Sequence, residues 1–130
     1  MNKKKIHSAS APQAIGPYSQ AIQSGNTVYF SGQIPLDPKT MTIVAGDIAV
    51  QTEQVFLNLQ EVCKAAGGSM ENIVKLTLYL IDLSHFSVVN EVMMKFFKEP
   101  YPARTTIQIS ALPKAAQIEV DAIMIAKLSF

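Results

Sequence analysis

A single cysteine, Cys63, and two histidines, His7 and His85, are all that this chain has of the residues that build disulfides and most transition-metal sites. Cys63 has no second thiol to pair with, so an internal disulfide is excluded, and a reducing compartment, the cytoplasm, is the expectation. The two histidines stand far apart and outside any ligand-spaced cluster, so no metal centre is expected. The sequence has no Walker loop, no G-x-G-x-x-G and no G-x-S-x-G, which removes the simplest routes to nucleotide binding and to a serine nucleophile. No apolar run approaches the roughly eighteen residues of a spanning helix, so no membrane partner is expected. The opening MNKKKIHSASAPQ has a basic start but no apolar stretch after it, so export is not expected either. Charge is scarce: 16% of the residues are charged, against about a quarter in ordinary domains. The net charge is +1, and the basic residues are scattered apart from Lys3, Lys4 and Lys5, which read as a solvated tail. That leaves no electrostatic footprint for nucleic acid.

What is present is apolar. At 130 residues, 48% of them hydrophobic, the chain suits one domain, 1–130, able to bury a core without metal or disulfide help. The shortage of polar cover implies that part of the surface faces another protein. Two β-prone runs, QAIQS and TVYFSGQI, flank Gly25-Asn26, which predicts a hairpin. The turn-rich PLDPKTMTIVAGD allows at most a short extra strand. Asp47 then caps a helix whose buried stripe is Ile48, Thr52, Val55, Leu59, Val62 and Ala66, stopped by Gly67 and Gly68. Cys63 lies beside that stripe as a small core residue.

IVKLTLYLI, residues 73 to 81, predicts a central strand. A second helix follows, capped by Ser84, with Phe86, Val89, Met93, Phe96 and Phe97 buried and Pro100 ending it. Two strands close the chain, about 103 to 110 and 117 to 127, joined by ALPKAA. This order gives an α+β fold with two helices packed on one face of a mixed, mainly antiparallel sheet. Several strands are apolar on both faces, so the second sheet face is expected to be covered by another copy of the chain.

In YPARTTIQIS, Arg104, Thr106, Gln108 and Ser110 alternate with Thr105, Ile107 and Ile109, so the arginine heads a polar face behind the stiffening Pro102. Two roles fit it equally: bidentate capture of a carboxylate, or an ion pair with an acidic residue of the same or a neighbouring chain. Glu119 and Asp121 share one face of the last strand, an unusual acidic pair on an apolar strand, and a wet strand end is the plainer account of Asp121. With ALPKAA as a hairpin loop, Arg104 falls opposite Ile123 or Met124. Glu119 then lies about 13 to 17 Å away, too far for a three-carbon acid to bridge, so a shared site has to combine different chains.

IGPYSQA, FSGQIPLDP, NLQEVCKAAGGSMENIVK, VNEVMMKFF, YPARTTIQI and LPKAAQIEVDAI together resemble the RidA/YjgF family of enamine/imine deaminases, along nearly the whole chain. The resemblance implies a chorismate-mutase-like fold in a homotrimer with clefts between subunits, and no cofactor. It also implies roles: Arg104 for the substrate carboxylate, Glu119 for the attacking water, and Tyr18, Ser31, Gly32 and Asn90 as cleft lining. Thr106 stands where many relatives carry cysteine, so no thiol acts there, although its backbone groups are unaffected.

The implied reaction is hydrolysis of 2-aminoacrylate and similar enamine/imine acids to 2-oxo acids and ammonia. A second possibility is a non-catalytic binder or sensor of small 2-oxo or short-chain carboxylic acids. A third, ribonuclease action, calls for a basic surface that the sequence does not display.

Overall fold

A computed structural model describes residues 2–126. Its elements run β1 (Lys4–Ile6), β2 (Ala21–Ser24), β3 (Thr27–Gln33), α1 (Ile48–Ala65), β4 (Ile73–Leu80), α2 (Phe86–Phe96), β5 (Ala103–Gln108) and β6 (Ile118–Ile125). They form one sheet in the order β1-β2-β3-β6-β4-β5. Only β4 and β5 run parallel; the other neighbours are antiparallel. Two helices on a mixed sheet make the fold α+β, as expected. The predicted close of the last strand at 127 lies outside the described residues.

The helix-side face holds the core. Leu76, Leu78 and Leu80 of β4 and Ile118, Val120 and Met124 of β6 are fully buried beneath Val55, Phe56, Leu59 and Val62 of α1. Each such side chain contributes about 1.5–3 kcal/mol by leaving water. Phe56 joins the helices, its ring 5.4 Å from Phe96 and 5.6 Å from Phe97, the latter edge-on. The Asp47 side chain accepts from Val50 N at 3.1 Å and so caps α1, and Gly67 ends it at φ +81°. Cys63 is a core residue whose thiol burial pushes up to about 12.

Three local expectations fail for identifiable reasons. Lys4 and Lys5 are not a loose tail: they belong to β1, which pairs with β2 and buries Ile6 while both ammonium groups stay in water. Lysines on an edge strand block further pairing. The second helix is not capped by Ser84. Asp82 accepts from Ser84 N at 2.9 Å and caps a 3-10 turn, Leu83–His85, that leads into α2.

Third, β5 and β6 do not form a hairpin. β5 returns parallel to β4 at the sheet edge, and β6 inserts between β3 and β4. Burial explains the choice. The helix-side residues of β6 (Ile118, Val120, Ala122, Met124) are all buried and apolar, whereas β5 presents Arg104, Thr106 and Gln108 on that side. A strand with such a row is stable at an edge and not in the middle.

Among the described residues, no helix covers the sheet's other face. Tyr29, Tyr79, Ile107 and Ile123 lie on it, with Tyr29 52% and Ile107 41% exposed.

Candidate functional site

Arg104 is held by groups that do not neutralise it. Its Nη1 donates to Asn90 Oδ1 at 2.6 Å and lies 3.2 Å from Met93 Sδ, and its Cζ sits 4.9 Å from the centre of the Phe86 ring. Phe86, Asn90 and Met93 recur at helical spacing on α2, so one helix face builds the cradle. Among the described residues the ion pair present is Lys64–Glu61 at 3.4 Å, and none of them offers Arg104 a carboxylate partner. The guanidinium therefore keeps free the donors that Asn90 leaves unused. Asn90, Met93, Met94, Tyr101, Pro102 and Arg104 line a concavity of about 510 Å3. Phe86, Met94 and Tyr101 around it are exposed. Two residues along the same face of β5, Thr106 has a buried Oγ1 with no hydrogen-bond partner.

Glu119 belongs to a second concavity, of about 660 Å3, lined also by Tyr18, Gln20, Ser31, Gly32 and Lys114. The β3–β6 register slips between Phe30 and Gln33, so Ser31 and Gly32 form a bulge facing β6. The Glu119 carboxyl leans across it. A Cβ added at Gly32 would meet Glu119 Cδ at 2.8 Å and Cγ at 3.1 Å, so the bare glycine backbone is what admits the side chain. Burial, and secondly the Asp121 charge, raise the Glu119 carboxyl above its ordinary pKa.

Ser31 anchors the bulge, its Oγ donating to Ser19 O at 2.6 Å and its N to Gln20 O at 3.0 Å. The buried Gln20 fixes the preceding loop, donating to Ser8 O at 3.0 Å and Pro12 O at 2.8 Å and accepting from Ser8 N at 2.6 Å. Tyr18, half exposed, accepts from Ile15 N through its hydroxyl at 3.3 Å.

The seven residues singled out in the sequence thus fall into two groups: Arg104, Asn90 and Thr106 in one, Tyr18, Ser31, Gly32 and Glu119 in the other. The sheet separates them. Arg104 pairs with Leu76 of β4, which points into the core, and Glu119 pairs with Tyr79, which points to the open face. Positions 76 and 79 differ by an odd number, so the two side chains emerge on opposite sides.

Four contributors escaped sequence reasoning. Phe86 and Met93 read as buried stripe residues; Met93 is buried as expected, whereas Phe86 is 40% exposed because its ring lies under the arginine, and both touch the guanidinium. Gln20 carried no signal. Asp121 is not at a wet strand end: it sits in mid-strand and accepts from the Tyr79 hydroxyl at 2.9 Å. Its hydrogen bond, then burial, then the charges of Asp121 and Glu119 raise the Tyr79 phenol.

This chain resembles known proteins over most of its length. The family model described as Endoribonuclease L-PSP matches residues 8–126. A Homo sapiens protein named 2-iminobutanoate/2-iminopropanoate deaminase is 44% identical over 123 residues, covering 95% of this chain and 90% of the relative. The chain belongs to the RidA family. Another relative of this RidA-family chain, protein DfrA of Myxococcus xanthus, is 49% identical over 127 residues, covering 96% of the chain and 97% of the relative. The crystal structure of RidA from an Antarctic Psychrobacter superposes with a TM-score of 0.90 at 48% identity, covering 94% of this chain and 98% of that one. No described helix is long and apolar enough to cross a membrane.

Proposed function

We propose that this RidA-family chain hydrolyses small enamine/imine acids, 2-aminoacrylate among them, to 2-oxo acids and ammonia. The observation that carries this reading is Arg104: a guanidinium held only by an amide oxygen, a thioether and an aromatic face, at the rim of a concavity, is poised for an anionic guest. A resident salt bridge would have answered the charge within the protein.

Because Arg104 and Glu119 lie on opposite faces of the sheet, a site using both takes them from different copies, arranged as a homotrimer. The exposed Tyr29 and Ile107 on the open face, and Met94 and Tyr101 beside Arg104, supply apolar surface for such packing. In each composite cleft, Arg104 grips the substrate carboxylate, with Asn90 and Thr106 beside it. Glu119 of the adjoining copy takes a proton from water as the oxygen adds to the imine carbon, while Tyr18, Ser31 and Gly32 shape the wall. Glu119 then passes that proton to the nitrogen, and the carbinolamine collapses as its hydroxyl proton returns to the Glu119 carboxylate, releasing ammonia and leaving the 2-oxo acid. Such imines hydrolyse unaided, so positioning one water beside a base suffices for useful acceleration.

A second reading, a carboxylate binder without turnover, rests on the same arginine. The two are separated by supplying imine with an amino acid oxidase and following ammonia. Acceleration above the uncatalysed rate supports the deaminase; 2-oxobutyrate binding with no acceleration supports the binder. RNA cleavage, suggested by the matched model's description, finds no basic stripe in a chain of net charge +1.

A further inference from the structure

Asp121 and Tyr79 are not among the residues assigned to the cleft, yet they are hydrogen-bonded to each other on the sheet face that carries Glu119. Glu119 and Tyr79 are direct partners across β6 and β4, and Thr77 is the partner of Asp121. The Tyr79 ring therefore runs diagonally, from beside Glu119 to the Asp121 carboxylate one pair further on, where its hydroxyl donates at 2.9 Å. That hydrogen bond fixes the direction of the Asp121 carboxylate. On the opposite flank, Gly32 of β3 leaves room for the Glu119 carboxyl. Glu119 thus has an aromatic ring on its β4 side, an open bulge on its β3 side, and a tethered like charge two residues along its own strand.

We propose that Asp121, anchored by the Tyr79 hydroxyl, is a positioning residue for Glu119, directing its carboxyl over the Gly32 bulge and setting the pH at which it begins to act as a base. This rests on the reading of Glu119 as the group that activates water. β4 offers Tyr79 and β6 offers Asp121. β3 offers only the uncharged Ser31 and Gly32. The loop before β6 offers Lys114, and the N-terminal loop offers Tyr18. In the composite cleft, Arg104 of another copy adds a positive charge. Asp121 is the one negative charge in that set. Burial is the larger cause of the raised Glu119 carboxyl and Asp121 the smaller, so removing Asp121 relieves only part of the effect.

The test is the acid limb of kcat/KM for imine hydrolysis, from initial ammonia release at subsaturating imine with the uncatalysed rate subtracted at every pH. Two like charges roughly 7 Å apart on a half-exposed strand face displace each other by about half to one pH unit. Asp121→Asn is expected to move the limb to lower pH by that amount. Tyr79→Phe is expected to move it the same way but less, because an untethered Asp121 carboxylate can swing away from Glu119 and its field there weakens. If Asp121→Asn does not fold, the Tyr79→Phe limb decides alone: shifted supports the proposal, unshifted overturns it. A folded Asp121→Asn that loses activity equally at all pH, with its limb unmoved, marks a merely structural role and overturns the proposal. Glu119→Gln run alongside separates the two claims. An unmoved limb with an inactive Glu119→Gln refutes the role of Asp121 and leaves Glu119 standing as the base, whereas wild-type turnover by Glu119→Gln refutes the assignment of Glu119 and the role of Asp121 together; the deaminase reading falls only if the wild-type protein itself gives no acceleration.

Discussion

Arg104 and Asn90 form a 2.6 Å hydrogen bond in which a permanent cation leans on a neutral amide. Such a bond fixes direction without satisfying charge, and the Phe86 face beneath the guanidinium does the same. The arrangement leaves the guanidinium without a carboxylate among the described residues.

Arg104→Ala should weaken capture of 2-oxobutyrate and raise KM while leaving assembly intact. A charge-assisted pair is worth about 1.5–3 kcal/mol, or roughly 10- to 150-fold in Kd. Calorimetric titration and size-exclusion chromatography check the two halves of this prediction.

Glu119→Gln separates activity from stability. Turnover should fall roughly 100- to 10,000-fold if Glu119 serves as the base, with ligand affinity largely kept. Stability should move the other way. The folded protein holds the Glu119 carboxyl above its ordinary 4.5, so its contribution to stability is complete below that value and is lost as pH rises through the higher folded pKa. At pH 7 the ionised group is a burden, and the neutral amide removes it. The variant should therefore melt higher than wild type at pH 7, with the gain vanishing below about pH 4.5; thermal melts at the two pH values check the sign.

Gly32→Ala should damage the site more than the fold. The new methyl meets the end of a flexible side chain, which can rotate away at about 1 kcal/mol, so the melting temperature should drop only slightly. The displaced carboxyl should lower turnover roughly 10- to 100-fold, since the misplacement falls on the reacting group. Parallel melts and ammonia-release assays distinguish this from general destabilisation.

Much of this architecture is legible in the chain because local physics writes it there. The α1 stripe, its Asp47 cap, the Gly25-Asn26 turn and the alternation in β6 each have a short-range cause. The strand order does not. ALPKAA looks like a hairpin loop at close range, and only competition for the centre of the sheet, won by the apolar Ile118, Val120, Ala122 and Met124, sends β5 to the edge. The conclusion that Arg104 and Glu119 do not meet within one chain survives, but its reason changes from distance along a hairpin to opposite faces of a sheet. Phe86 and Met93 were hidden because apolar periodicity marks a residue as buried without saying that what it packs against is a cation. Tyr79 and Asp121 were hidden because a diagonal contact depends on the β4–β6 register, which no single strand encodes.

The central claim is that each cleft takes Arg104 from one copy and Glu119 from another, and subunit complementation tests it most directly. Arg104→Ala and Glu119→Gln chains are each expected to be nearly inactive. Co-expressed in equal amounts and assembled at random, they should recover about a quarter of wild-type turnover, because one cleft in four then joins an intact Arg104 to an intact Glu119. A mixture that exchanges subunits yet stays as inactive as either parent would contradict the account.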